Sequence, residues 1–194
     1  MDTLLKIDIA LFYFINISLQ NVVFDWFMPF ITNKYHWFPV WILLAVFLVW
    51  KGGKKGRIVL LLIIPVIFLS DQISSHILKS YFERLRPCVV LSDIHLIGSR
   101  KSSYSFPSSH AANFFAAAAF FNYFYPKYRW PYFIIAFLVS SSRVYIGIHF
   151  PSDVIAGGIL GILCAYFIIF LWYLTQKLYK KNKMPAGIDS KNSP

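Results

Sequence analysis

Five apolar runs divide the chain: FPVWILLAVFLVW (38–50), IVLLLIIPVIFL (58–69), ANFFAAAAFFNYFY (112–125), WPYFIIAFLV (130–139) and VIAGGILGILCAYFIIFLWYL (154–174). Extended by their less apolar flanks, most reach the roughly 20 residues that carry a helix across about 30 Å of hydrocarbon. The pattern therefore predicts an all-α, multi-pass transmembrane bundle with spans near 36–50, 58–78, 109–125, 130–148 and 153–175. The first is the shortest, and Lys34 and Lys51 at its ends are placed to snorkel to the interfaces. Residues 1–33 are apolar but interrupted by Asp8, Asn16, Gln20 and Asp25. They predict either a further span, for five to six in all, or an amphipathic helix lying in the interface. With no basic opening and no small-residue cleavage site, they do not read as a signal peptide. One domain over 1–180 is expected, followed by a polar, disordered cytoplasmic tail over 181–194.

Composition agrees with a bilayer as solvent: 58% of the 194 residues are hydrophobic and 14% charged, too oily for a water-soluble core of this size. The net charge of +11 would suggest nucleic acid in a soluble protein, but here most of the basic residues mark topology. Lys51, Lys54, Lys55 and Arg57 fill one connection, Lys127 and Arg129 another, and Lys177, Lys180, Lys181 and Lys183 follow the last run. The positive-inside rule makes all three cytoplasmic. The loop from about 79 to 110 and the turn at 141–153 then lie outside, on the periplasmic or exterior side of a cell membrane. Cys88 falls in that loop and Cys164 in a span, so no disulfide is expected between them.

Three polar clusters in these outer segments are not explained by topology: KSYFERLRP (79–87), SYSFPSSHAA (103–112) and SSRVYIGIHFPSD (141–153). Singly, each has an ordinary explanation, Lys79 and Arg86 as interfacial anchors, Pro107 to Ser109 as a helix start, and Asp153 as a cap. Arg143 is harder to dismiss, because a charge in an apolar segment must face the protein interior. Together, Lys79, Arg86 and Arg143 supply cations, and Ser108, Ser109 and nearby amides supply donors at a helix N-terminus, which describes a phosphate site. Pro151 should break the helix after His149, letting Asp153 fold back onto the imidazole and hold its tautomer, with the other ring nitrogen as nucleophile. His110, in the helix start beside the anion, is placed to protonate a leaving oxygen and later to activate water.

These clusters resemble the signature of the type 2 phosphatidic acid phosphatase superfamily: K-x6-R-P is Lys79 to Pro87, P-S-x-H is Pro107 to His110, and S-R-x5-H-x3-D is Ser142 to Asp153. The resemblance covers about 75 residues. It implies a membrane bundle with its active site at the outer interface, hydrolysing phosphate esters or anhydrides through a phosphohistidine, with no metal or other cofactor. Lys79, Arg86 and Arg143, helped by Ser108 and Ser109, would bind phosphate; His149 would be phosphorylated, Asp153 would orient it, and His110 would serve as acid and then base. Ser109 departs from the commoner glycine, which would strain it if the position required a positive φ.

Small bacterial relatives in the family act on lipid A at its 1-phosphate, on undecaprenyl diphosphate or on phosphatidylglycerol phosphate, and the first is the expectation adopted. The expected partners are the bilayer and a lipid phosphate, with no nucleic acid and no obligate protein partner. Arg100 and Lys101 are candidates for a second phosphate, with interfacial anchoring equally open. Asp71, Ser75 and Lys79, four apart, should share a helix face. Asp71 would orient Lys79 or Arg143, or form a helix-to-helix hydrogen bond. The rivals are a headgroup phosphotransferase, a lipid-phosphate transporter, and a metal hydrolase using His110, His149 and Asp153 as ligands.

Overall fold

A computed structural model describes residues 2–183, and all the regular structure there is helical. The elements are α1 (Asp2–Tyr13), α2 (Val22–Thr32), α3 (Lys34–Trp50), α4 (Gly53–Gln72), α5 (Lys79–Phe82), α6 (Pro87–Val90), α7 (Ser109–Phe124), α8 (Arg129–Tyr145) and α9 (Pro151–Lys183). A π-helical turn, Phe14–Ser18, continues α1, and another, Ile73–Leu78, joins α4 to α5.

The expected five to six spans are not found. Among the described residues, two helical segments are long and apolar enough to cross a membrane, Gly53–Val90 and Pro151–Asn182. A third arises only if the bent pair Thr3–Ser18 and Val22–Thr32, which meet at 115°, counts as one span. The reason lies in where helices stop. α3, α7 and α8 have 17, 16 and 17 residues, about 24 to 26 Å at 1.5 Å per residue, short of the hydrocarbon thickness. The flanks that lengthened these runs on paper fold as other structure. Gly53 opens α4 with a left-handed φ of +56°, Ser108 stands at the N-cap position of α7, Pro126 follows the end of α7, and Gly147 turns the chain at φ +85° after α8. The tail expected from 181 instead begins as the last turn of α9, and its remainder from 184 lies outside the described residues.

α7 is the central helix. Its alanines 111, 112 and 116 to 119 are buried, as are Phe120 and Phe121. It packs on α9 through small residues: a Cβ on Gly157 would collide with the carbonyl oxygen of Ser108, and one on Gly161 with that of Ala112. Such pairs let backbones approach closely where lipid offers no hydrophobic drive for helix association. Val59 and Val66 of α4, Ala116 and Phe120 of α7, and Ala165 and Ile169 of α9 share one core. The outer surfaces of the two long segments stay apolar and exposed, with Leu61 and Ile77 on one and Ile155, Ile159 and Leu163 on the other. This is the surface a lipid-facing helix presents.

Of the polar residues that interrupt 1–33, Asp8, Asn16 and Asp25 turn toward the protein, while Gln20 stays exposed. Asn16, fully buried in the first π turn, donates to the carbonyls of Tyr145 (2.6 Å) and His95 (2.8 Å) and accepts from the His95 amide (2.8 Å). Asp25 accepts from the Tyr145 hydroxyl at 2.6 Å and pairs with His95 at 2.7 Å. The N-terminal helices therefore fasten the 91–108 loop to the end of α8, at the same end of the bundle as the three clusters.

Candidate active site

Ser108, the N-cap of α7, donates its amide to the Asp153 carbonyl at 2.9 Å, joining the start of α7 to the start of α9. Arg143 lies in the last turn of α8, and its carbonyl accepts from the amides of Ile148 and His149, both at 3.2 Å. The chain leaves α8 through Gly147, presents His149, and starts α9 at Pro151, as the proline requires. Asp153, in that first turn, folds back: its Oδ2 accepts from the Phe150 amide (2.9 Å) and lies 3.3 Å from His149 Nδ1.

A cavity of about 1170 Å³ gathers Lys79, Arg86, Ser109, His110, Arg143 and His149 on its walls. Arg86 is 4% exposed and anchored by the carbonyls of Ser103, Ile148 and Tyr104 at 2.7, 2.8 and 3.0 Å. Its Nη1 also lies 2.9 Å from His149 Nε2. Lys79 donates to Ser109 Oγ at 2.9 Å, and Ser75 Oγ lies 2.9 Å from the same hydroxyl. Arg143 donates to Thr32 Oγ1 at 2.9 Å, while its buried Nε has no partner among the described residues. Beyond these charges the cavity continues between α3 and α4, past Trp37, Trp41, Leu44, Ile64 and Phe68.

The tautomer of His149 follows from its neighbours. A guanidinium only donates, so Nε2 beside Arg86 carries a lone pair and the ring proton sits on Nδ1, facing Asp153. The imidazole is 2% exposed. Burial first, then the charges of Arg86, Arg143 and Lys79, push its pKa well below the ordinary 6.5, leaving it neutral and able to act as a nucleophile. His110 is held down to about 2, by burial and then by Arg143, His149 and Lys79.

Two expected phosphate ligands differ in placement. Ser109 lines the cavity and is not among the described non-glycine residues with positive φ, which are Glu83 and Asp93, so replacing the usual glycine costs no backbone strain here. Ser108 is fully buried, its hydroxyl has no partner among the described residues, and it is absent from the cavity wall. Lys101 lines the cavity and Arg100 does not. Asp71 accepts from Asn113 of α7 at 3.1 Å and, at a long 3.5 Å, from Ser75. It thus makes the helix-to-helix bond and also reaches Lys79 indirectly, through Ser75 and Ser109. His110, His149 and Asp153 do not form a three-ligand metal cluster among the described residues.

The sequence did not single out Arg84 or Asp8. Arg84 pairs with Asp153 Oδ1 at 2.7 Å and with Asp8 Oδ2 at 2.6 Å. An arginine two positions before Arg86 was the available signal, but nothing along the chain connects it to residue 8.

The PAP2 superfamily model matches residues 59–179. The lipid A 4'-phosphatase of Bacteroides thetaiotaomicron is 30% identical over 196 residues, covering 96% of this chain and 86% of that protein. The undecaprenyl-diphosphatase of Sulfolobus acidocaldarius is 34% identical over 158 residues, covering 79% and 73%. The crystal structure of Aquifex aeolicus LpxE superposes with a TM-score of 0.65 at 28% identity, covering 83% of this chain and 93% of that one.

Proposed function

We propose, from the premise that the chain belongs to the PAP2 superfamily and is a hydrolase acting on the phosphate headgroup of a membrane lipid, that turnover runs through a phosphohistidine at His149. The observation that carries this reading is the His149 ring held between Asp153 on Nδ1 and Arg86 on Nε2, on the wall of a cavity shared with Lys79, His110 and Arg143. Substrate phosphate takes over the Arg86 donor and frees the Nε2 lone pair. Nε2 bonds to phosphorus, the ester oxygen departs, and His110 gives that oxygen a proton. Asp153 stabilises the imidazolium character that develops. Water then yields a proton to His110, its oxygen attacks phosphorus, the N–P bond breaks, and inorganic phosphate leaves. Lys79, Arg86 and Arg143 offset the charge that accumulates on the phosphoryl oxygens.

The proposed substrate is lipid A. The relative that matches 96% of the chain removes the 4'-phosphate of that lipid, which favours the 4' position over the 1-phosphate expected from sequence. Undecaprenyl diphosphate is the second reading, favoured by the 34% identity to the archaeal diphosphatase. The apolar extension of the cavity suits a lipid whose chains stay between helices while its headgroup reaches the cations. The site is assigned to the non-cytoplasmic face. α4 begins at Lys54, Lys55 and Arg57 and runs toward Lys79, whereas α9 begins at the site and ends at Lys177, Lys180 and Lys181. Both basic ends therefore lie opposite the site, as the positive-inside rule asks of antiparallel helices.

The test is phosphate release by purified protein from bis-phosphorylated lipid A, undecaprenyl diphosphate and phosphatidylglycerol phosphate, with mass analysis of which lipid A phosphate is lost. An acid-labile, base-stable phosphoprotein should form with the unmodified chain and not with His149→Ala, whose turnover should fall by at least about a thousandfold. Residual turnover of more than a few per cent in that variant would remove His149 from the nucleophile role.

A further inference from the structure

Arg84 stands outside the phosphate cavity, yet it is paired with two carboxylates at this end of the bundle. Its Nη1 donates to Asp153 Oδ1 and to Ser152 Oγ, both at 2.7 Å, and its Nη2 donates to Asp8 Oδ2 at 2.6 Å. The guanidinium lies 4.1 Å from the Phe150 ring centroid, a cation–π distance. Its backbone is held as well, the carbonyl accepting from the Ser105 amide at 2.7 Å. Asp8, from α1, also accepts from the Ser152 amide at 2.9 Å and from the Ser152 hydroxyl, so it caps the first turn of α9.

The result is a line of alternating charges, Asp8, Arg84, Asp153 and then His149. Side-chain exposure runs 10%, 24% and 0% along the first three. Asp153 has no contact with water, so its charge depends on protein donors. One oxygen is occupied by the Phe150 amide and His149; the other is occupied by Arg84. Without Arg84 the carboxylate loses the cation paired with Oδ1 and one of the contacts that restrain its rotation about the bond to Cβ.

We infer that Arg84 is a positioning residue for the phosphatase reaction, fixing the charge and rotamer of Asp153 so that Asp153 can orient His149, and that Asp8 of α1 holds Arg84 in place. This rests on the phosphohistidine reading above. It also gives the N-terminal segment a part in catalysis, since Asp8 reaches the active site from 144 positions before Ser152.

The experiment compares the full-length protein with Arg84→Gln, Arg84→Lys and Asp8→Asn, following kcat, KM and the pH profile of kcat with lipid A, and checking tungstate binding for an intact site. Arg84→Gln should lower kcat by about tenfold or more while KM stays within about threefold. Removing a cation beside Asp153 raises the pH at which it protonates. Turnover needs the carboxylate, so the acid limb of the profile should move to higher pH. Arg84→Lys should recover part of the loss. Asp8→Asn should lower kcat less than Arg84→Gln, and the double variant should be no worse than Arg84→Gln alone, as expected for residues acting in series.

The inference is overturned by an Arg84→Gln protein with kcat within about threefold of the unmodified chain, by a loss confined to KM, or by a lower kcat with an unmoved acid limb. Should Arg84→Gln fail to fold, Asp8→Asn and Arg84→Lys carry the test, and an unmoved acid limb in both would overturn it. His149→Ala is measured beside them. If it retains turnover the phosphohistidine reading falls, whereas if it is inactive and Arg84→Gln behaves as the unmodified chain, only the role of Arg84 falls.

Discussion

At the scale of residues, the low basicity of His110 has a measurable consequence. Burial and nearby cations hold His110 down to about 2, so it carries no proton at neutral pH without substrate. A phosphate dianion reverses the local field and should raise that pKa, since an opposite charge within a few ångströms favours the protonated imidazole. Anion binding should therefore be coupled to proton uptake, and affinity should strengthen as pH falls from 8 toward 6.5. Titration calorimetry with tungstate in buffers of different ionisation enthalpy would show net uptake approaching one proton, absent in His110→Ala. Equal heats after buffer correction would mean His110 is not the acid. The residue types and spacing of His110 and His149 were visible in the chain, because Pro151 and the i, i+4 interval to Asp153 are local. Arg86 against Nε2, by contrast, joins positions 63 residues apart, and no local rule points to it.

At the scale of elements, the close packing of α7 on α9 sets the site, because Ser108 at one helix start is bonded to Asp153 in the other. Gly161→Leu should separate these helices, since its side chain would meet the backbone of Ala112. The expected cost is at least about 2 kcal/mol, within the range for overpacking a tight interface. It should appear as a lower Tm in detergent, together with a loss of activity larger than the bound anion can restore. A fully active variant with unchanged Tm would show that the contact is not needed. The small residues of GGILG were legible as apolar sequence, but their role was not, because the clash depends on which face α7 presents.

At the scale of the whole molecule, two long segments and several shorter helices replace the expected set of equivalent crossings. The orientation proposed above rests on the basic ends of α4 and α9, and it predicts labelling. A single cysteine at Arg100, in a background with Cys88 and Cys164 replaced, should react with a membrane-impermeant maleimide added outside intact cells. One at Lys54 should react only after permeabilisation. The reverse pattern would place the site on the cytoplasmic face.

What the chain determined by itself was set by short-range chemistry. Apolar content made the bilayer the solvent, and proline, serine and the i, i+4 spacing of His149 and Asp153 placed the phosphate motifs at helix ends. The number of crossings, the withdrawal of Ser108 from the cavity and the tie from Asp8 through Arg84 to Asp153 were decided only by tertiary structure. Each depends on where a helix stops or which distant groups become neighbours, and both are outcomes of packing, with energies spread over contacts that no window along the sequence contains.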